Sequence, residues 1–106
     1  MKREFKNPYA LEWREDVKGT WEIILSRDEK TGTYSRLLRT EPGWRSGKVL
    51  IHDFDEIVYI LKGGIINEET GEVYQTGTYA FFPAGTKHGP FLTPIGVVTL
   101  EFRHYK

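Results

Sequence analysis

The chain has 106 residues, and its 15 Lys and Arg residues balance 15 Asp and Glu residues, for a formal net charge of zero. This length predicts a single domain, residues 1–106, with a modest core. Without a basic surface for the phosphate backbone, we expect no nucleic-acid partner. Cysteine is absent, which excludes disulfides, thiolate catalysis and sulfur-ligated metals. A metal would therefore need oxygen ligands or the three histidines: His52, His88 and His104.

The N-terminal segment MKREFKNPYALEWREDVK is charged throughout, which does not fit a signal peptide or a membrane anchor. No apolar stretch approaches the roughly 20 residues that a helix needs to cross a bilayer. We therefore expect a soluble, cytoplasmic protein with no membrane partner. Residues 9–16 fit either one helical turn or an edge strand, and no start or stop signal decides between the two.

Six short runs rich in β-branched and aromatic residues follow this segment. They are residues 21–25, 34–38, 48–51, 57–61, 79–82 and 97–102. Turn sequences rich in glycine and proline separate them, a pattern that is typical of a β-sandwich or barrel. Residues 66–75 (INEETGEVYQ) predict a hairpin, because Gly71 can adopt the positive φ of a tight turn. The sequence thus predicts an all-β fold.

The stretch GKVLIHDFDEIVYILKGG, residues 47–64, places a histidine and an acid within a predicted strand. Alternation along a strand puts every second side chain on one face. The side chains that share this face are Leu50, His52, Phe54, Glu56, Val58 and Ile60. A His-x-x-x-Glu pattern is common by chance, so alone it favours a core histidine near a rim carboxylate.

A second stretch, GTYAFFPAGTKH, adds regular spacing of glycine, proline and histidine. Gly77 is followed after five residues by Pro83, then by Gly85 and, two residues on, by His88. This spacing resembles the second motif of the cupin superfamily, which it fits without a gap. The family's final asparagine falls on Leu92.

The first stretch resembles the other motif of the same superfamily. His52, Glu56 and Gly63 fit its second histidine, its glutamate and its closing glycine. The family's first histidine falls on Leu50, and its leading glycine falls on Trp44. Two motifs at the expected separation are a far stronger signal than either motif alone.

The resemblance implies a cupin-type double-stranded β-helix, a jelly-roll barrel whose subunits form a homodimer. It also implies a divalent metal held by His52, Glu56 and His88, with one ligand fewer than the family pattern. Two histidines and a carboxylate suit non-haem iron, which we expect, and also zinc, manganese or nickel. Glu56 is the predicted catalytic residue. The predicted apolar substrate pocket consists of Leu50, Phe54, Phe81 and Phe102.

These features favour a metal-dependent oxygenase of small carbonyl or enol compounds. The alternative is a non-enzymatic sensor or binding module for a metal or a small molecule. A sugar isomerase or epimerase would need a polar pocket, whereas the predicted lining is apolar. His104 is expected in solvent. Arg36 and Arg39 are expected on opposite strand faces, and at the surface.

Overall fold

The computed structural model describes residues 4–105, which form eleven β-strands and one 3₁₀ turn. The strands are β1 (Arg14–Glu15), β2 (Thr20–Arg27), β3 (Tyr34–Thr40), β4 (Trp44–Arg45), β5 (Leu50–Ile51), β6 (Asp55–Asn67), β7 (Val73–Gln75), β8 (Tyr79–Phe82), β9 (Lys87–His88), β10 (Phe91–Thr93) and β11 (Val97–His104). The predicted all-β fold is confirmed. No helix within this part of the chain is long and apolar enough to cross a membrane.

The strands are antiparallel throughout and curl into a barrel. Nine of them form one sheet in the order β1-β2-β3-β11-β6-β10-β4, with β7 and β8 also paired to β6. The first part of β6 pairs with β8 and β11, and its last part pairs with β7 and β10. This 13-residue strand therefore joins the two sides of the barrel. The short strands β5 and β9 form a separate pair.

All six predicted runs contain a strand. Several strands extend beyond the predicted bounds, whereas in the run 48–51 only Leu50–Ile51 is a strand. The N-terminal segment contains both of the structures that its sequence left open, a 3₁₀ turn at Pro8–Ala10 and the edge strand β1. The short strands β4 and β10 have no apolar run that predicts them. Residues 1–3 and 106, which the single-domain prediction includes, lie outside the described residues.

Two glycines have conformations that explain their positions in the sequence. Gly71 has a φ of 78° in the turn between β6 and β7, as the hairpin prediction requires. Gly63, the closing glycine of the first motif, has a φ of 94°. A Cβ atom there would overlap the carbonyl oxygen of Gly96, so the close approach of β6 to the start of β11 requires glycine.

Strand β11 presents an unexpected face to the barrel interior. Thr99 and Glu101 are buried, whereas Phe102 is 44% exposed on the opposite face. Cross-strand pairing sets Phe102 beside Ile57 of β6, which in turn pairs with Phe81 of β8. The outer surface of this part of the sheet is therefore apolar, and the interior side of β11 is polar.

Candidate metal centre

The three predicted ligands come from segments that the two motifs place side by side. His52 follows β5, Glu56 is the second residue of β6, and His88 ends β9. Strands β5 and β9 pair so that Leu50 lies opposite His88. The backbone N–H of Gly85, in the turn before β9, donates to the carbonyl oxygen of His52 at 2.8 Å. Through this hydrogen bond, the turn of the second motif holds the first motif in place.

The structure brings these three side chains together. One candidate ligand atom from each of His52, Glu56 and His88 lies within 4.8 Å of the other two. His88 Nε2 is 3.4 Å from Glu56 Oε1, and the two side chains are only 10% and 4% exposed. Because the groups converge in a buried position, this cluster could hold a metal ion.

Aromatic rings fix the two imidazoles in place. The His52 ring stacks on Phe54 at a centroid distance of 4.4 Å. The His88 ring contacts Phe82 at 4.3 Å and Phe91 at 5.1 Å, in both cases edge to face. His88 Nδ1 is buried without a hydrogen-bond partner among the described residues. Ring packing, and not a hydrogen bond, therefore orients His88.

Both imidazoles are held in the neutral form that metal binding requires. Burial, together with the neighbouring His52 and Arg103, lowers the pKa of His88 to about 4. Burial also lowers the pKa of His52. Two neutral imidazoles and one carboxylate fit a divalent ion, and this donor set suits iron, zinc, manganese and nickel alike.

Glu56 has a second partner that the sequence did not predict. Arg103 Nε donates to Glu56 Oε2 at 2.9 Å, which leaves Oε1 directed at His88. Burial, together with the negative charge of Glu101, raises the pKa of Glu56 to about 7 and outweighs the lowering effect of Arg103 and Arg36. At neutral pH the Glu56 carboxyl group therefore exchanges its proton readily.

The cluster lies in the wall of a cavity of about 590 Å³ inside the barrel. Leu50 lines this cavity, together with Phe82 and Phe91. Phe81 borders it, but its side chain is 51% exposed and lies beside Ile57 on the outer face of the sheet. Phe102 does not line it, and that prediction is wrong because the side chain lies on the outer face of β11.

Phe54 is also absent from the cavity wall. Its ring is buried and stacks against His52, so it supports a candidate ligand from behind. Of the four predicted pocket residues, Leu50 lines the cavity and Phe54 supports the metal centre, whereas Phe81 and Phe102 present their side chains on the outer face.

The cavity is more polar than the sequence predicted, because a buried arginine lies in its wall. The Arg36 guanidinium donates to Glu101 Oε1 at 2.9 Å, to Glu22 Oε2 at 2.7 Å and to Asp16 Oδ2 at 3.0 Å. The expected surface position of Arg36 is therefore wrong. The cavity lining is mostly apolar, and Arg36 and its carboxylate partners add a polar part to it. Arg39 does lie on the opposite face, where it stacks over Trp13.

His104, the remaining histidine, is exposed and takes no part in the cluster. Other functional residues, above all Arg103, were not predicted from the sequence. Along β11 these residues alternate with outward-facing residues such as His104. The pattern Thr99, Glu101, Arg103 was a usable signal, because three polar residues at a spacing of two define one face of a strand.

Comparison with known proteins assigns the chain to a family. Residues 1–105 match the ChrR cupin-like domain family. Because the match spans almost the whole sequence, the chain belongs to this family, and its barrel is a cupin-type jelly roll. No curated protein matches the sequence.

Solved structures share the fold at low sequence identity. An RmlC-like cupin from Shewanella frigidimarina NCIMB 400 has a TM-score of 0.80 and 17% identity, covering 99% of this chain and 93% of that one. The polyketide cyclase RemF from Streptomyces resistomycificus has a TM-score of 0.76 and 20% identity, covering 99% and 81%. An acetylacetone dioxygenase from Acinetobacter johnsonii has a TM-score of 0.69 and 16% identity, covering 98% and 80%. At these identities the similarity shows the fold alone.

Proposed function

We propose that the protein is a metal-dependent oxygenase of small carbonyl or enol compounds. The observation that carries this proposal is the convergence of His52, Glu56 and His88 within 4.8 Å in the wall of a cavity of about 590 Å³. A buried cluster of neutral imidazoles and a carboxylate beside a cavity of this size is typical of a small-molecule metal site. Iron is the ion that suits an oxygenase of this kind.

A bound metal would supply Lewis acidity and open coordination positions for substrate oxygens and dioxygen. Leu50 lies opposite His88 and offers no ligand atom, so it leaves one side of the cluster open to a substrate. The rings of Phe82 and Phe91 pack around His88 and keep water away from it. A dry surround strengthens the interactions of charged groups within the cavity.

Glu56 has the properties of a proton acceptor in this reaction. In the metal-free protein its pKa of about 7 makes it a stronger base than an ordinary carboxylate, yet still available at neutral pH. The acidic proton of a carbon between two carbonyl groups is the natural target of such a base. Arg103 holds Oε2, so Oε1, the atom directed at His88, would accept the proton once it is released from the metal.

Two structural relatives support a carbonyl substrate, although neither is close in sequence. One is described as an acetylacetone dioxygenase and the other as a polyketide cyclase. Both names refer to molecules that carry several carbonyl groups. The proposal transfers only this chemical class.

Oxygen consumption by iron-loaded protein with acetylacetone tests the proposal. We expect turnover that Glu56→Ala abolishes and that His104→Ala, which removes an exposed histidine, leaves intact. Circular dichroism of each variant would verify that its fold is retained. If a panel of β-diketones and enols gives no turnover with iron, manganese, nickel or zinc, the oxygenase proposal is wrong.

One observation favours a second function, that of a non-enzymatic binding module. The ion pair between Arg103 and Glu56 satisfies the buried carboxylate without a metal. A barrel of this kind would bind a ligand equally well after metal is removed. Binding that does not change between metal-stripped and metal-loaded protein, without any turnover, would support this function over the first.

We also propose that the single domain of residues 1–106 forms a homodimer through an apolar surface that we call the outer patch. It comprises the exposed residues Tyr59, Leu61, Tyr79, Phe81 and Phe102. These residues lie on the adjacent strands β11, β6 and β8. A contiguous apolar surface of this kind is typical of a protein–protein interface. Because the net charge is zero, no net charge repulsion opposes the pairing of two copies.

A further inference from the structure

Arg103 has hydrogen-bonding capacity that the protein does not use. Its Nε donates to Glu56, and no other hydrogen bond of this side chain is present among residues 4–105. The Arg103 side chain is 22% exposed, and the residue lies in the cavity wall. Its two terminal nitrogens therefore face no protein acceptor, although the metal cluster is adjacent.

Aromatic rings hold this guanidinium in position. Its central carbon lies 4.8 Å from the centre of the Phe54 ring and 5.7 Å from that of Tyr34. Phe54 also stacks on His52, so one ring positions both the arginine and a candidate metal ligand. A guanidinium fixed in this way loses little freedom when it binds a ligand.

The other arginine of the cavity makes an instructive contrast. Arg36 uses all three of its nitrogens on protein carboxylates, with Nη2 at 2.9 Å from Glu101 Oε1. Each nitrogen of that guanidinium therefore already has a carboxylate partner. Of the two arginines in the cavity wall, Arg103 is therefore the one that can recognise a negatively charged ligand.

We propose that Arg103 binds the carboxylate of an anionic substrate, so that the cavity takes carbonyl compounds that carry a carboxylate group. The two terminal N–H groups of arginine match the two oxygens of a carboxylate in a planar, bidentate pair. This inference deepens the proposed function, on which it rests for the carbonyl part of the substrate.

Two probes that differ in one group test this inference. In 2,4-dioxopentanoate a carboxylate replaces one methyl group of acetylacetone. Isothermal titration calorimetry would measure both affinities, in metal-stripped and zinc-loaded protein. We expect the wild type to bind the carboxylate probe about 10–100-fold more tightly in both forms, as charged hydrogen bonds predict.

The variants separate recognition of the carboxylate from support of the fold. Arg103→Gln should bind the two probes equally, and Arg103→Lys, which keeps a cation beside Glu56, should retain part of the preference. Arg27→Gln is the matched control, because Arg27 stacks over the same Tyr34 ring at 5.3 Å but is exposed. It should keep the full preference.

Equal affinity of the wild type for both probes, binding of neither probe, or a preference that survives Arg103→Gln would overturn the inference. Failure of the proposed function has a different result. In that case no β-diketone or enol would turn over with iron, manganese, nickel or zinc, while the preference for the carboxylate probe would persist in metal-stripped protein.

Discussion

The Nε2 atom of His88 lies 3.4 Å from Oε1 of Glu56, and burial moves the pKa values of these two groups in opposite directions. The pKa of His88 falls to about 4 and that of Glu56 rises to about 7. Between these values the imidazole is neutral and the carboxyl group is mostly protonated. A divalent ion that enters the cluster would therefore displace a proton from Glu56.

The first prediction concerns the pH dependence of stability in metal-stripped protein. The pKa of Glu56 rises from its usual 4.5 to about 7 on folding. Between these two pH values the folded state binds more protons than the unfolded state, so stability falls as pH rises. The pKa of His88 falls from 6.5 to about 4 on folding, so its contribution to stability rises with pH between these values. His52, whose pKa burial also lowers, adds to the rise. These effects oppose the loss from Glu56 up to about pH 6.5, and above it the histidine contributions level off and the loss from Glu56 dominates.

Urea unfolding between about pH 6.5 and pH 8 measures this effect. The midpoint should fall across the interval in the wild type and should stay level in Glu56→Gln, which cannot titrate. A wild-type midpoint that rises, or a variant that falls equally, would mean that Glu56 titrates in its ordinary range.

Much of the candidate site was predictable from sequence, because local spacing determines it. The two motifs specify turns whose backbone brings His52, Glu56 and His88 close together. Alternation also puts Leu50 and His52 on one face, and both residues lie in the cavity wall. Gly63 was predicted from the same motif, and the structure supplies its steric reason.

The electrostatic surroundings of the site were not predictable in this way, because they depend on long-range pairing. In β11 the apolar residues Val98, Leu100 and Phe102 alternate with polar ones, and burial of apolar groups favours the apolar face as the interior. The barrel instead turns the polar face inwards, where Glu101 meets Arg36 from β3. Only the strand register brings these two charges together.

The second prediction concerns Leu50, which occupies the position of the missing histidine. Leu50→His should tighten zinc binding by about 10–100-fold, since an added imidazole supplies a fourth ligand. Competition with a chromogenic chelator measures the affinity. Leu50→Asn, polar but a weak ligand, is the control and should not tighten binding. An unchanged or lower affinity in folded Leu50→His would show that this side chain does not face the metal.

The third prediction concerns the buried ion pairs of Arg36. Arg36→Ala should lower the free energy of unfolding by about 3–5 kcal/mol, because Glu22 and Glu101 would remain buried without their cation. Arg39→Ala, on the other face of the same strand, should cost much less. Chemical denaturation compares the two variants. Equal losses would mean that the buried network adds nothing beyond a surface contact.

The fourth prediction concerns the outer patch. Phe81→Glu should shift a dimer to a monomer in light scattering at micromolar concentration, because it buries a charge in the proposed apolar interface. Ile95→Glu is the control, since Ile95 is exposed elsewhere, in the turn before β11. A wild-type protein that is already monomeric, or a Phe81→Glu variant that remains dimeric, would contradict the proposed interface.

The central claim is that His52, Glu56 and His88 bind a metal ion, and anomalous diffraction from zinc-soaked crystals tests it most directly. Data collected on both sides of the zinc absorption edge should give one strong peak in the cavity, about 2.0–2.2 Å from an atom of each residue. Crystals of His88→Ala should lack this peak. A cluster without a peak, in wild-type crystals that show zinc elsewhere and with Arg103 still bonded to Glu56, would contradict the account.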